Sequence, residues 1–184
     1  EVQLTAQLSH PNTIAIFDYG HTADGVFYYA MEYLDGLNLE RLVSEHGPQP
    51  PARVVRILRQ VCVALAEAHG VGLIHRDVKP SNIMLAQQGG AYDVVKVLDF
   101  GLVKRLQGPE DSGDSDAHSL QGTPYYMSPE AIENPGAVDA RSDIYALGLV
   151  AFEVFSGRRP PMDGPLPAVH DLHANLPEAL TAVI

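Results

Sequence analysis

The chain has 184 residues, of which 46% are hydrophobic, together with a formal net charge of −11 and a single cysteine. This length and hydrophobic content predict one globular unit with a substantial core and argue against intrinsic disorder. One cysteine excludes a disulfide framework and fits a reducing cytosol, and the acidic balance argues against nucleic acid as a partner, because phosphate binding requires a basic face.

Two short strands are predicted near the start of the chain. Residues 13–19 and 26–31 are rich in β-branched and aromatic side chains, and the polar segment 21–25 between them ends in glycine. The segment 31–36, Met-Glu-Tyr-Leu-Asp-Gly, then leads away from the second strand. We therefore expect a hairpin followed by an exposed connection.

A helix is predicted from Pro51 to about His69, with Gly70 as its stop. The single cysteine, Cys62, falls on the apolar face of this helix, and we expect it to be a buried structural thiol. The apolar residues at helical spacing are Val54, Val55, Leu58, Val61, Cys62 and Leu65.

The run His75-Arg76-Asp77-Val78-Lys79-Pro80-Ser81-Asn82 follows the helix and carries the chemistry. An Asp in a loop can accept a proton from a substrate hydroxyl, and an Asn five residues later can turn back toward a metal ion beside the same phosphate. A Lys two residues after the Asp places positive charge where a transferred phosphoryl group needs it. Asp77, Lys79 and Asn82 are therefore candidate catalytic residues.

Short apolar runs at 83–85 and 94–98 predict two strands on either side of a turn. The second run ends at Asp99, which begins the triplet Asp99-Phe100-Gly101. A hairpin would place Asn82 and Asp99 at one mouth, where both could ligate Mg²⁺, a cation that prefers oxygen ligands.

The segment between Gly101 and Pro129 has little apolar periodicity, and its part 109–116 is acidic and rich in Ser and Gly. It predicts a mobile loop. A phosphate there could pair with Arg76; a solvated acidic loop with no phosphate is the alternative. The candidate phosphorylation sites are Ser112, Ser115 and, as first choice, Ser119.

Two helices are predicted in the last third of the chain. Ser128 caps a short one with Pro129 in its first position, so that Glu130 points inward. A second helix, 139–155, ends at Gly157; its longest apolar stretch is too short for a membrane span. Its apolar residues cover most of the circumference and predict burial on all sides: Ile144, Leu147, Leu149, Val150, Phe152, Val154 and Phe155.

Taken together, His75-Arg76-Asp77, Asp99-Phe100-Gly101 and Ser128-Pro129-Glu130 resemble the motifs of the eukaryotic-type protein kinase family, and in particular bacterial serine/threonine kinases. Gly122-Thr123-Pro124 and Lys79 resemble the serine/threonine branch. The resemblance implies an α+β protein-kinase-like fold, incomplete at both ends. Residues 1–31 would be the trailing part of the small lobe, and residues 32–184 the hinge and a mostly helical large lobe.

This resemblance also implies the activity: transfer of the ATP γ-phosphoryl group to Ser or Thr hydroxyls of a protein substrate, with Mg²⁺. Asp77, Lys79, Asn82 and Asp99 would be catalytic, with the metal on Asn82 and Asp99. The adenine would meet Met31 as gatekeeper, the backbone of Glu32 and Leu34, and Met84 as apolar floor. The supporting residues would be Glu1, His75, Arg76, Phe100, Gly101, Thr123, Glu130, and Asp143, which matches the family Asp that binds the catalytic-loop backbone.

Two phosphate-binding parts of that family do not occur before the catalytic loop: no Gly-x-Gly-x-x-Gly and no lysine precede it. Glu1 falls where the family places the helix glutamate that pairs with such a lysine. We expect this polypeptide to be an inactive fragment of a cytoplasmic kinase domain, with any membrane anchor outside the chain. A non-catalytic pseudokinase-type binding module stays open, as does a small-molecule phosphotransferase, although the latter would lack Ser-Pro-Glu and Gly-Thr-Pro.

Overall fold

The computed structural model describes residues 8–100, 124–134, 136, 138–162 and 164–167. The strands of this part form two sheets. In the first, β1 (Ile16–His21) pairs antiparallel with β2 (Phe27–Met31). In the second, β3 (Gly36–Asn38), β4 (Ile83–Gln88) and β5 (Ala91–Val97) lie in that order, with both pairs antiparallel. The two predicted hairpins are confirmed.

The helices begin and end at the signals that the sequence contains. They are α1 (Leu39–His46), α2 (Pro51–Gly70), α3 (Pro129–Glu133) and α4 (Ala140–Ser156), with single 3₁₀ turns at Pro80–Asn82 and Pro124–Tyr126. Ser128 and Asp139 cap α3 and α4, because their side chains accept hydrogen bonds from backbone N–H groups in the first turn. Gly157 ends α4 with a φ of 70°, a conformation that glycine adopts without strain.

The core lies between α2, α4 and the second sheet. α4 is buried along most of its length, and the side chains of β4 and β5 that face α2 are buried as well. Within the described residues, no helix is long and apolar enough to span a membrane. The buried side of α2 consists of Val54, Ile57, Val61, Ala64, Leu65 and Ala68.

Two predictions about burial were wrong. Cys62 is exposed, as is Val55, because the buried stripe of α2 runs through Ile57 and Val61 and the cysteine lies about 100° around the helix from Val61. Ile144 is 53% exposed, so that α4 is not buried on all sides in its second turn. In both helices apolar residues extend beyond the face that packs against a neighbour.

The segment that precedes β1 connects the two sheets. Val97 donates its backbone N–H to Asn12 O at 2.8 Å, and Ile14 donates to Val97 O at 3.0 Å. The Asn12 side chain donates to Val95 O at 2.8 Å. Because Glu32 N also donates to Ala15 O at 3.0 Å, the end of β2 is held beside the end of β5.

Candidate active site

The loop at residues 75–82 is anchored to α4 by hydrogen bonds from its backbone. Asp143, whose side chain is 1% exposed, accepts hydrogen bonds from the backbone N–H groups of His75 and Arg76, both at 2.8 Å. Its Oδ2 atom also lies 2.7 Å from His69 Nε2 at the end of α2. Arg76 has a φ of 65°, which a non-glycine residue adopts only when its surroundings impose it. Asp143 supplies two of those restraints.

His75 is fully buried beneath the loop. Its Nε2 atom lies 2.8 Å from Leu98 O, and its Nδ1 atom accepts the backbone N–H of Asp77 at 3.2 Å, which assigns the proton to Nε2. The ring centroid lies 4.6 Å from that of Phe100. Burial lowers the pKa of His75, although the charge of Asp143 opposes the shift. The imidazole is therefore a neutral structural link between the loop, β5 and Phe100.

Asp77 is oriented by two donors. Its Oδ2 atom accepts hydrogen bonds from Lys79 Nζ at 2.8 Å and from Asn82 Nδ2 at 3.1 Å, and Asn82 Nδ2 also donates to Asp77 O at 2.9 Å. The Asp77 side chain is nevertheless 46% exposed. The arrangement holds a carboxylate in one orientation and leaves it accessible to a hydroxyl group from outside.

Asn82 and Asp99 lie at the same end of the β4–β5 hairpin. Ile83 pairs with Val97, and Leu98 N donates to Asn82 O at 2.9 Å. Asp99 has a φ of 55° and accepts a hydrogen bond from the Tyr29 hydroxyl at 3.2 Å. Burial raises the pKa of Tyr29, and the charge of Asp99 raises it further.

This donor set fits Mg²⁺. Mg²⁺ is commonly bound by one or two protein oxygen ligands together with waters and substrate phosphates. Both amide contacts of Asn82 go to Asp77, which leaves its amide oxygen as the possible ligand beside the Asp99 carboxylate. Among the described residues, no group of three or more His, Cys, Asp or Glu side chains could hold a metal by itself. A site that is completed by nucleotide phosphates is consistent with that finding.

The predicted adenine contacts follow β2. Met31 ends that strand and is 43% exposed, whereas Glu32 and Leu34 are partly buried. Met84 lies opposite Lys96 in the β4–β5 register, so that both side chains are on one face of the sheet. Lys96 Nζ lies 2.6 Å from Glu32 Oε1, which brings that face toward the segment after β2.

The structure describes some of the remaining predicted residues and does not describe others. The Ser142 hydroxyl donates to Glu130 Oε1 at 2.7 Å, and this hydrogen bond is the main cause that lowers the pKa of Glu130. Phe100 is fully buried against His75. Six predicted residues lie outside the described part of the chain: Glu1, Gly101, Ser112, Ser115, Ser119 and Thr123.

Sequence reasoning missed three contacts of this site, those of Tyr29, His69 and Lys96. Strand alternation could have indicated Tyr29, because it lies two residues before Met31 and therefore on the same face. Lys96 is the single charge in the apolar run 94–98, which is a signal for a buried partner. No local pattern pointed from His69 to Asp143.

Residues 1–174 match the family model of the protein kinase domain. Serine/threonine-protein kinase pkn3 of Myxococcus xanthus is 42% identical over 161 residues, which cover 87% of this chain and 29% of that protein. Serine/threonine-protein kinase PknB of Mycobacterium tuberculosis is 41% identical over 172 residues, which cover 91% of this chain and 26% of that protein. The chain thus spans less than a third of the curated relatives it matches.

A solved structure shows the same fold. The crystal structure of the PknI kinase domain of Mycobacterium tuberculosis superposes with a TM-score of 0.72 and 30% sequence identity, and the match covers 95% of this chain and 62% of that one. The α+β kinase fold predicted from the motifs is therefore confirmed.

Proposed function

Since the chain belongs to the protein kinase family, we propose that it acts in the transfer of the ATP γ-phosphoryl group to Ser or Thr hydroxyls of protein substrates. The names of the two curated relatives, both serine/threonine-protein kinases, support the choice of acceptor. The presence of Lys79 two residues after Asp77 supports the same branch.

The observation that carries this proposal is the contact of Asp77 with both Lys79 and Asn82. In the proposed mechanism, Asp77 accepts the proton of the substrate hydroxyl as the hydroxyl oxygen attacks the γ-phosphorus. The bond between the γ-phosphorus and the β,γ-bridging oxygen breaks, and ADP leaves. Lys79, held 2.8 Å from Asp77 Oδ2, stabilises negative charge on the transferred group. Asn82 orients Asp77 through its amide N–H groups and, with Asp99, would hold Mg²⁺. When bound, Mg²⁺ neutralises phosphate charge and orients the γ-phosphate for in-line attack.

The adenine of ATP is proposed to bind at the segment that follows β2. We propose that the adenine edge contacts the backbone of Glu32 and Leu34, with Met31 and Met84 around the base. Met84 and Lys96 lie on the same face of the sheet, and the Lys96 side chain contacts Glu32. This contact supports the proposed placement of the adenine. We also propose that residues 1–31 form the trailing part of the small lobe and that residues 32–184 form the hinge and the large lobe.

The test is phosphate transfer from γ-labelled ATP to a general acceptor such as casein, measured with the longest open reading frame that contains this chain. Asp77→Asn should reduce the rate at least about 100-fold, because general base catalysis is lost. Asp18→Asn, on the exposed strand β1, is the matched control and should keep the wild-type rate. Phosphotyrosine as the main product would contradict the assigned acceptor.

The 184-residue polypeptide by itself should have little or no activity, because it contains no Gly-x-Gly-x-x-Gly and no lysine before Lys79. Robust Mg-ATP-dependent phosphorylation by the purified polypeptide would contradict this. Mass spectrometry of the product of the longest open reading frame that contains this chain, after incubation with Mg-ATP, tests Ser112, Ser115 and Ser119 as acceptors. ATP binding without any transfer would favour the non-catalytic binding module instead.

A further inference from the structure

The Asp99 carboxylate needs a restraint if it is to ligate a cation reproducibly. Asp99 lies two residues after β5, outside the strand ladder, and its φ of 55° is a conformation that costs free energy for a non-glycine residue. The terminal torsion of an Asp side chain is broad, so that the backbone alone does not determine where the two carboxylate oxygens point.

Tyr29 supplies a restraint from the other sheet. It lies in the middle of β2, opposite Tyr19 in the register, and its ring packs against Phe27 with centroids 6.3 Å apart. The side chain is partly buried, and its hydroxyl reaches Asp99 Oδ1 at 3.2 Å across 70 positions of sequence. The direction of the hydrogen bond is unambiguous, because an ionised carboxylate only accepts.

The chemistry of the donor distinguishes Asp99 from Asp77. One of the two donors to Asp77 is the cation of Lys79, which offsets the charge of the carboxylate. Within the part of the chain that the structure describes, the donor to the Asp99 side chain is a neutral phenol, which orients the carboxylate and leaves its negative charge for a bound cation. Hydrogen bonds from residues that do not themselves touch the metal commonly orient metal ligands in this way.

We propose that Tyr29 is a positioning residue for the metal ligand Asp99: its hydroxyl holds Oδ1, so that Oδ2 is presented to the Mg²⁺ of Mg-ATP. This inference rests on the proposed function, because it takes Asp99 as a metal ligand. It adds a residue outside the motifs that identify the site, since Tyr29 lies in none of the three.

The test compares the dissociation constants of ATP with excess Mg²⁺ and with EDTA, measured by calorimetry on the longest open reading frame that contains the chain. Tyr29→Phe should weaken Mg-ATP binding about 10-fold and leave metal-free ATP binding within about twofold, since only metal ligation is affected. A purely structural role would weaken both. Tyr28→Phe is the matched control, because its hydroxyl also contacts an aspartate, Asp18 at 3.4 Å, on the exposed side of the hairpin.

The outcomes separate the two proposals. If Mg²⁺ strengthens ATP binding by the same factor in Tyr29→Phe and in the wild type, the role of Tyr29 is overturned and the metal site is not. Tighter Mg-ATP binding by Tyr29→Phe than by the wild type would also overturn the role of Tyr29, because its hydroxyl would then compete with the cation for Asp99. A wild-type protein whose ATP affinity ignores Mg²⁺ would overturn the metal site itself.

A second measurement does not require nucleotide binding. With tyrosine labelled at Cζ by ¹³C, the Tyr29 resonance, assigned by its loss in Tyr29→Phe, should shift in Asp99→Asn and not in Asp18→Asn. An unchanged resonance in Asp99→Asn would contradict the contact.

Discussion

Lys96 Nζ lies 2.6 Å from Glu32 Oε1 and links β5 to the segment that follows β2. Glu32 also accepts hydrogen bonds from Ala15 N at 2.9 Å and Gln88 Nε2 at 3.2 Å. Burial alone would raise the pKa of Glu32, but the hydrogen bonds from Lys96, Ala15 and Gln88 and the Lys96 charge lower it overall. The Glu32 carboxylate is therefore charged at neutral pH, and the cation of Lys96 helps to stabilise that charge.

Lys96→Met should destabilise the protein by about 3 kcal/mol, because it leaves a largely buried carboxylate without its cation. Thermal or urea unfolding measures this change. Arg41→Met is the control: it breaks an exposed ion pair with Glu45 and should cost less than about 0.5 kcal/mol. If the loss at Lys96 is due to the unpaired charge, the double variant Glu32→Gln/Lys96→Met will recover part of it.

Asp143→Ala should cost about 3 kcal/mol, because the buried N–H groups of His75 and Arg76 both lose their acceptor. Asp139→Ala, which removes only the exposed cap of α4, should cost about 1 kcal/mol. Chemical denaturation of both variants measures the difference. Equal costs would show that the contacts of Asp143 contribute no more than a helix cap.

The stability of the fold should fall as the pH drops below about 6.5, the ordinary pKa of histidine, because His75 has a lowered pKa. In the folded state the buried ring stays neutral, whereas in the unfolded chain it binds a proton, so that acid favours unfolding. Melting temperatures between pH 7.5 and 5.5 measure the effect.

His75→Phe keeps a ring against Phe100 and should flatten this dependence, although it loses the hydrogen bond to Leu98. His46→Gln, at the exposed end of α1, should keep the wild-type slope. An unchanged slope in His75→Phe would assign the acid sensitivity to other groups.

Lys79→Met should lower kcat about 100-fold, with a smaller effect on the KM for ATP, because Lys79 acts on charge that develops during transfer. The contact of Asp77 with Asn82, 3.1 Å in the wild-type protein, does not involve Lys79 and should remain in this variant. Steady-state kinetics with varied ATP separates the two constants. Arg59→Met, on the exposed side of α2, is the charge-matched control. A rise in KM alone would place Lys79 in substrate binding.

Local sequence patterns determined most of the strands and helices and the identity of the reactive loop, although neither α1 nor β3 was predicted. The apolar run before Asp99, the cap and proline at Ser128 and Pro129, and Gly157 after α4 each act on their immediate neighbours, so that strands and helix ends could be read without tertiary structure. The spacing within residues 75–82 determined which groups could meet, because a short loop can bring Asp77, Lys79 and Asn82 together.

Only the tertiary structure decided which apolar faces are buried and which distant side chains meet. Cys62 matched the helical period but lies outside the stripe that packs against the core. The contacts Tyr29–Asp99, Glu32–Lys96 and His69–Asp143 join residues 70, 64 and 74 positions apart. Such pairs depend on how sheets and helices are placed relative to one another, and hydrophobic periodicity within one element contains no information about that placement.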